Sequence, residues 1–214
     1  MNDLVSSVMD AVHMAGFVEI EVSAKHVHLT EQDVEVLFGK GAVLESVRPL
    51  SQPGQFLSAQ RVKLIGPKKT MEHVAVLGPV RKAAQVELSR SDCVALGVDA
   101  PLRESGDIKG SASITIEGPC GTLEVKEGVI VAHNHIHVTE EDSRRLNLKD
   151  KDRVAVEVYS DRPVIFNDVI IRVSSKFACR MHIDFDEANA AGVKGFTLGR
   201  IIRKIDTQGV GRMI

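Results

Sequence analysis

His26 and His28 stand one residue apart in SAKHVHLTEQD (23–33), and His135 and His137 do the same in AHNHIHVTEED (132–142). On an extended strand, residues i and i+2 point to one face, so each pair presents two imidazoles together, and imidazole is a common ligand for zinc and related ions. One such pair is weak evidence. Here four of the eight histidines fall in matching phrases: His26, His28, Thr30, Asp33 and Leu37 recur as His135, His137, Thr139, Asp142 and Leu146, each 109 positions later. That recurrence points to metal ligation. Two imidazoles leave coordination to complete. His182, in CRMHIDFDEANAAG, offers another ring, and Glu72, Glu87, Asp92 and Asp184 are carboxylate candidates among which spacing does not choose. His133 alternates with His135 and reads equally as a ligand or as a polar neighbour. Cys93, Cys120 and Cys179 form no CxxC pair, so neither a zinc ribbon nor a disulfide framework is expected, and a reducing compartment suits them.

The elements that must hold these side chains read as short strands. FVEIEVSA alternates, and RVKLIG, HVAVLG, QVELS, SITIEG, TLEVKEGVIVAH, RVAVEVYS and VIIRVSS are β-branched runs divided by turn signals such as GPKKT, GPCG and LKDKDR. Many short strands with few helices predict small barrels or sandwiches. In each repeated phrase the strand ends at a threonine, Thr30 or Thr139, placed to N-cap a short helix whose first turn is acidic. The repeats predict two related modules, 17–127 and 128–203, with strands free to interleave across that division. Residues 204–214 read as a polar tail. Before the first strand, Leu4, Val5, Val8, Met9 and Val12 make one apolar stripe at helical spacing within residues 1–16. Such a helix lies on its own domain or is offered to a partner.

Composition narrows the field. The chain has 214 residues, a formal charge of −2, seven Phe, one Tyr and no Trp. That leaves neither a basic field nor a stacking platform for nucleic acid. No apolar run approaches the length of a membrane span. No glycine-rich phosphate loop opens a helix, which argues against Rossmann and P-loop folds.

The motifs VSAKHVHLT, PGQF, LGPVRKAAQVELSRSD, SGDIKGS, IEGPCG, AHNHIHVTEED and CRMHIDFDEANAAG, in this order over about 17–203, resemble the propanediol-utilisation type of phosphate acyltransferase, or phosphate propanoyltransferase. The resemblance implies a mainly β fold of two small β-barrels capped by short helices, with two divalent metal ions between them. It implies that His26, His28 and Glu87 hold one ion and His135, His137 and His182 the other. Zinc is the expected ion, although such donors also accept cobalt or nickel. Arg81 matches the family's phosphate-binding arginine, and Ser105 a serine beside the same phosphate. Coenzyme A contacts are implied for Ser23, Ala24, Lys25, Lys68 and Asn189. One departure is Ala75, where relatives often carry a basic residue.

The expected reaction converts a short acyl-CoA (propanoyl-CoA or acetyl-CoA) and phosphate into acyl phosphate and CoA by direct transfer. A two-metal hydrolase could use the same ligands, and phosphate dependence separates the two. A metal-stabilised assembly protein is a further reading, distinguished by removing residues 1–16. In relatives an N-terminal helix of this kind directs the enzyme into a bacterial microcompartment, where shell or cargo proteins would be its partners. The alternative location is the open cytoplasm. A homo-oligomer is compatible with the sequence.

Overall fold

The computed structural model describes residues 7, 8, 11, 12 and 14–204. Of the expected N-terminal stripe, Leu4, Val5 and Met9 lie outside the described residues, as does the tail beyond Lys204. Ser7, Val8, Ala11, Val12 and Met14 are helical. Gly16 ends this segment with φ +81°, a conformation that favours glycine. No helix among the described residues is long and apolar enough to cross a membrane.

The fold is mainly β. Strand β1 (Phe17–Ser23) buries Val18 and Ile20 on one face. Ala24 and Lys25 then lead into β2 (His26–His28). Thr30 stops the strand and opens helix α1 (Glu31–Phe38) with a capping box. Its hydroxyl accepts from the Asp33 N–H (3.1 Å), and the Asp33 carboxylate accepts from the Thr30 N–H (2.9 Å). The chain continues through β3 (Ser46–Pro49), β4 (Phe56–Ile65), β5 (Thr70–Gly78), β6 (Gln85–Glu87), α2 (Arg90–Leu96), β7 (Leu102–Arg103), β8 (Ala112–Glu117) and β9 (Thr122–Ala132). The second half runs through β10 (His135–Val138), α3 (Glu140–Arg145), β11 (Arg153–Tyr159), β12 (Ile165–Val173), β13 (Arg180–Asp184), α4 (Phe185–Ala191) and β14 (Leu198–Lys204). Thr139 caps α3 as Thr30 caps α1, accepting from the Asp142 N–H at 3.0 Å.

Two compact units result. One is Ala24–His133, and the other joins the chain up to Ser23 with the chain from Asn134 onward. The cut falls at 133/134, past the 127/128 division drawn on the repeats, because β9 stays whole in the central unit through its pairing with β6 and β8, and β1 crosses over to late strands in the interleaving that the sequence left open. β1 runs parallel to β13 and antiparallel to β14, closing a six-stranded barrel in the order β1-β13-β10-β12-β11-β14. In the central unit, β9 is parallel to β6 and antiparallel to β8, and β8 also pairs with β4. The strands β4-β5-β2-β6-β9-β8 therefore form a ring as well, with β3 added beside β4 and β7 beside β9. Each HxH strand has a parallel neighbour and an antiparallel one: β5 and β6 for β2, β12 and β13 for β10.

Each barrel has its own apolar filling. Val27, Leu29, Leu37, Leu64, Leu96, Ile116 and Val129 pack in the central unit. Val18, Ile20, Ile136, Val156, Ile171, Met181 and Ile183 pack in the other. Val27 and Ile136 lie between the histidines of each HxH and point into the cores. The period-two alternation of a strand therefore turns the imidazoles to the opposite face.

Candidate metal and anion site

In the central unit, β2 brings His26 opposite Glu87 of β6 in an antiparallel pair. His26, His28 and Glu87 offer donor atoms that all lie within 4.8 Å of one another. The His26 Nδ1–H donates to the Ala24 carbonyl (2.8 Å), which turns Nε2 toward Glu87 Oε2 at 3.5 Å. The His28 ring stands edge-on to His26, with centroids 4.9 Å apart, and its Nδ1 is buried with no hydrogen bond of ordinary geometry among the described residues. A buried ring nitrogen left without a partner is costly unless a cation takes its lone pair. A backbone carbonyl holding the opposite nitrogen of a ligating histidine is the usual support for such a ligand.

Charge at this cluster follows from its burial. Burial would lower the His26 pKa, but the Glu87 carboxylate overrides it and leaves the ring more basic than usual. His28, pushed by burial and then by His26 and Arg81, falls well below the ordinary imidazole range and stays neutral. Burial would raise the Glu87 carboxyl, yet His26, His28 and the Ser105 hydroxyl hold it well below the carboxylate range. An ionised carboxylate beside a neutral imidazole is a donor set suited to a divalent cation.

The Arg81 N–H donates to the Leu29 carbonyl (2.8 Å), tying the loop after β5 to the chain that follows the histidines. The Arg81 guanidinium donates to Ser105 Oγ at 3.2 Å, and Ser105 in turn donates to Glu87 Oε1 at 2.7 Å. Gln85, two residues before Glu87 on the same face of β6, joins this group through its amide. Sequence reasoning passed over Gln85, although the alternation of QVE was the signal that would have placed it there.

The other unit carries three imidazoles. β10 sets His135 opposite His182 of β13, the same register relation as His26 to Glu87. His135, His137 and His182 have ring centroids 4.7–5.2 Å apart, and their donor atoms also fall within 4.8 Å of one another. Phe177 stacks on His137 with centroids 4.0 Å apart. Three clustered nitrogen donors also fit a divalent cation.

The remaining candidates fall elsewhere. Asp92 accepts from Lys25 at 2.9 Å, Asp184 N-caps α4, and the exposed Glu72 faces Lys63. His133 is not a member of the triad with His135. Of the positions implied for coenzyme A, Ala24 supplies the carbonyl that orients His26. Lys25 is half-buried against Asp92, and Ser23 ends β1. Lys68 is exposed on the turn beneath α2, and Asn189 is exposed on α4. Ala75 is the register partner of His26 on β5.

A model of the phosphate propanoyltransferase family matches residues 19–194. The chain belongs to the phosphate propanoyltransferase family. Among its relatives, the phosphate propanoyltransferase of Clostridioides difficile (strain 630) is 45% identical over 204 residues, covering 95% of this chain and 98% of that one. That of Leptotrichia buccalis is 50% identical over 182 residues, 85% of this chain and 86% of the relative. That of Thermotoga maritima is 51% identical over 173 residues, 80% of this chain and 82% of the relative. Family membership makes this protein an acyltransferase. The matched span begins within β1 and ends beyond His182, so it contains both triads, Arg81, Gln85 and Ser105.

Proposed function

We propose that this protein transfers a short acyl group, propanoyl or acetyl, between coenzyme A and inorganic phosphate, with one divalent ion held by His26, His28 and Glu87 and another by His135, His137 and His182. The observation that carries the reading is the hydrogen-bonded chain from Arg81 through Ser105 to Glu87. It links a guanidinium suited to an oxyanion with a carboxylate suited to a cation. Bound at these triads, zinc or a similar ion supplies Lewis acidity toward oxygen and affinity for a thiolate.

The chain's own groups supply the rest. Phosphate is already anionic at neutral pH, so the need is for positioning more than for a strong base. Arg81 grips phosphate through its planar fork, and Ser105, held by Glu87 and Gln85, sets the angle of that fork. In the forward direction a phosphate oxygen bonds to the thioester carbon, and the carbon–sulfur bond then breaks with its electron pair leaving on sulfur. No proton need leave a protein nucleophile. Two of the three cysteines fit this direct route: Cys93 and Cys179 are buried, and burial, helped by Asp142, pushes the Cys179 thiol up to about 12, while the exposed Cys120 sits in the GPCG turn against the end of α1. Lys25, Ser23, Ala24, Lys68 and Asn189 remain the positions proposed for coenzyme A. The N-terminal stripe is proposed as the address for a microcompartment and its shell or cargo partners.

The test is one assay series with acetyl- and propanoyl-CoA, with and without phosphate and chelator. Acyl phosphate should form only with phosphate present, and turnover should stop on chelation and return with added Zn2+. Release of free acid without phosphate would instead identify a hydrolase.

A further inference from the structure

Gln85 is 2% exposed and sits between the two halves of the central site. Its amide nitrogen donates to Glu87 Oε1 (2.6 Å) and to Ser105 Oγ (2.9 Å), and its carbonyl accepts from the Gly106 N–H (2.8 Å). The reversed amide would set oxygen against a carboxylate and nitrogen against an N–H, so the neighbours dictate this orientation. Ser105 closes the triangle by donating to Glu87 Oε1 at 2.7 Å while accepting from Arg81. With Oε1 taken by two donors, Oε2 is the oxygen left facing His26.

A buried amide is costly where its partners are missing, and an apolar side chain would fill such a place more cheaply. The other unit offers a contrast. There the residue in register with the second histidine of the HxH is Arg180, where the central unit has Gln85. Arg180 turns to Glu19 at 3.0 Å, and that triad contains no carboxylate to be held. The amide accompanies the carboxylate.

We infer that Gln85 is a positioning residue that fixes Glu87 for cation ligation and ties it to the Arg81–Ser105 pair, so that cation and phosphate binding are coupled. The first half stands on the triad alone, and the coupling to phosphate rests on the proposed function.

Gln85→Met in the full chain keeps length and burial but removes all three hydrogen bonds. In chelator competition, Co2+ affinity at the Glu87 centre should fall about 10–100-fold, with a changed visible Co2+ spectrum. Affinity at the three-histidine centre should stay as it was. In turnover, the phosphate KM should rise while the acyl-CoA KM holds. Unchanged Co2+ affinity and spectrum in a folded variant overturn the inference, and an equal rise of both KM values overturns the coupling. If the unaltered protein shows no phosphate-dependent turnover, the functional reading fails while the Co2+ titration still decides the role of Gln85. Should Gln85→Met not fold, Gln85→Asn, whose amide is one methylene short of its partners, carries the same expectations. Failure of both to fold would assign Gln85 to the fold alone and refute the inference.

Discussion

Arg81 and Glu87 owe their chemistry to what surrounds them. A guanidinium on a loop is ordinarily a solvated charge, but here its backbone is pinned to Leu29 and its side chain to Ser105. Arg81→Ala should therefore lower kcat by about 10²–10³-fold, the usual loss for one oxyanion donor. Arg81→Lys should recover little of it, since a point charge lacks the fork. Steady-state assays at saturating phosphate check both. The thiols make a second prediction. Cys120 is exposed whereas Cys93 and Cys179 are buried, so iodoacetamide at pH 8 should label Cys120 alone in the native protein, as peptide mass spectrometry would read. Because the folded Cys179 pKa of about 12 lies above the ordinary 9.0, its contribution to stability is complete below pH 9 and is lost as pH climbs toward 12. Denaturant midpoints measured across that window should fall.

Helix ends illustrate how local sequence rules become tertiary contacts. The capping threonines were legible from THR-acidic spacing alone, because an N-cap needs only its own first turn. Where the helices end was less so. The Leu37 carbonyl, in the last turn of α1, accepts from the Cys120 N–H (3.0 Å), and the Leu96 carbonyl of α2 accepts from the Lys68 N–H (2.9 Å). The GPCG and GPKK turns thus satisfy carbonyls that a helix leaves open. Their glycines are required by proximity: a Cβ on Gly118 would lie 2.4 Å from the Leu37 oxygen, and one on Gly66 equally close to the Leu96 oxygen. Gly118→Ala should cost about 1–3 kcal/mol by overpacking, more than the roughly 1 kcal/mol expected for loss of the cap in Thr30→Ala. Urea titrations with unchanged m-values would measure both.

Across the whole chain, β1 makes the N-terminal boundary sharp. Removing residues 1–16 keeps the β1 register with β13 and β14 and takes away the carbonyls of Gly16 and Ala15 that accept from Ile201 and Arg200 of β14, so unfolding temperature should fall only slightly and turnover should persist. Deletion through Ser23 takes Val18 and Ile20 out of the core and strips β13 and β14 of a shared neighbour. The barrel of β10–β14 should then open and the chain should aggregate through its unpaired edges, as light scattering would report. Metal content tests the pair of triads: the full chain should carry two equivalents of Zn2+ by elemental analysis, and His28→Ala and His137→Ala one each. The sequence by itself determined the local facts, namely the faces of the strands, the capping residues and the twin imidazole pairs, since period-two alternation and first-turn hydrogen bonds involve only near neighbours. It could not choose Glu87 over Glu72, Asp92 or Asp184 from spacing, nor place Gln85 beside Ser105. Those choices depend on antiparallel register between β2 and β6, which pairs residues about sixty positions apart. Nor did it send β1 to β13: an alternating strand specifies which face it buries, and only the closing of a barrel selects the partner it buries against.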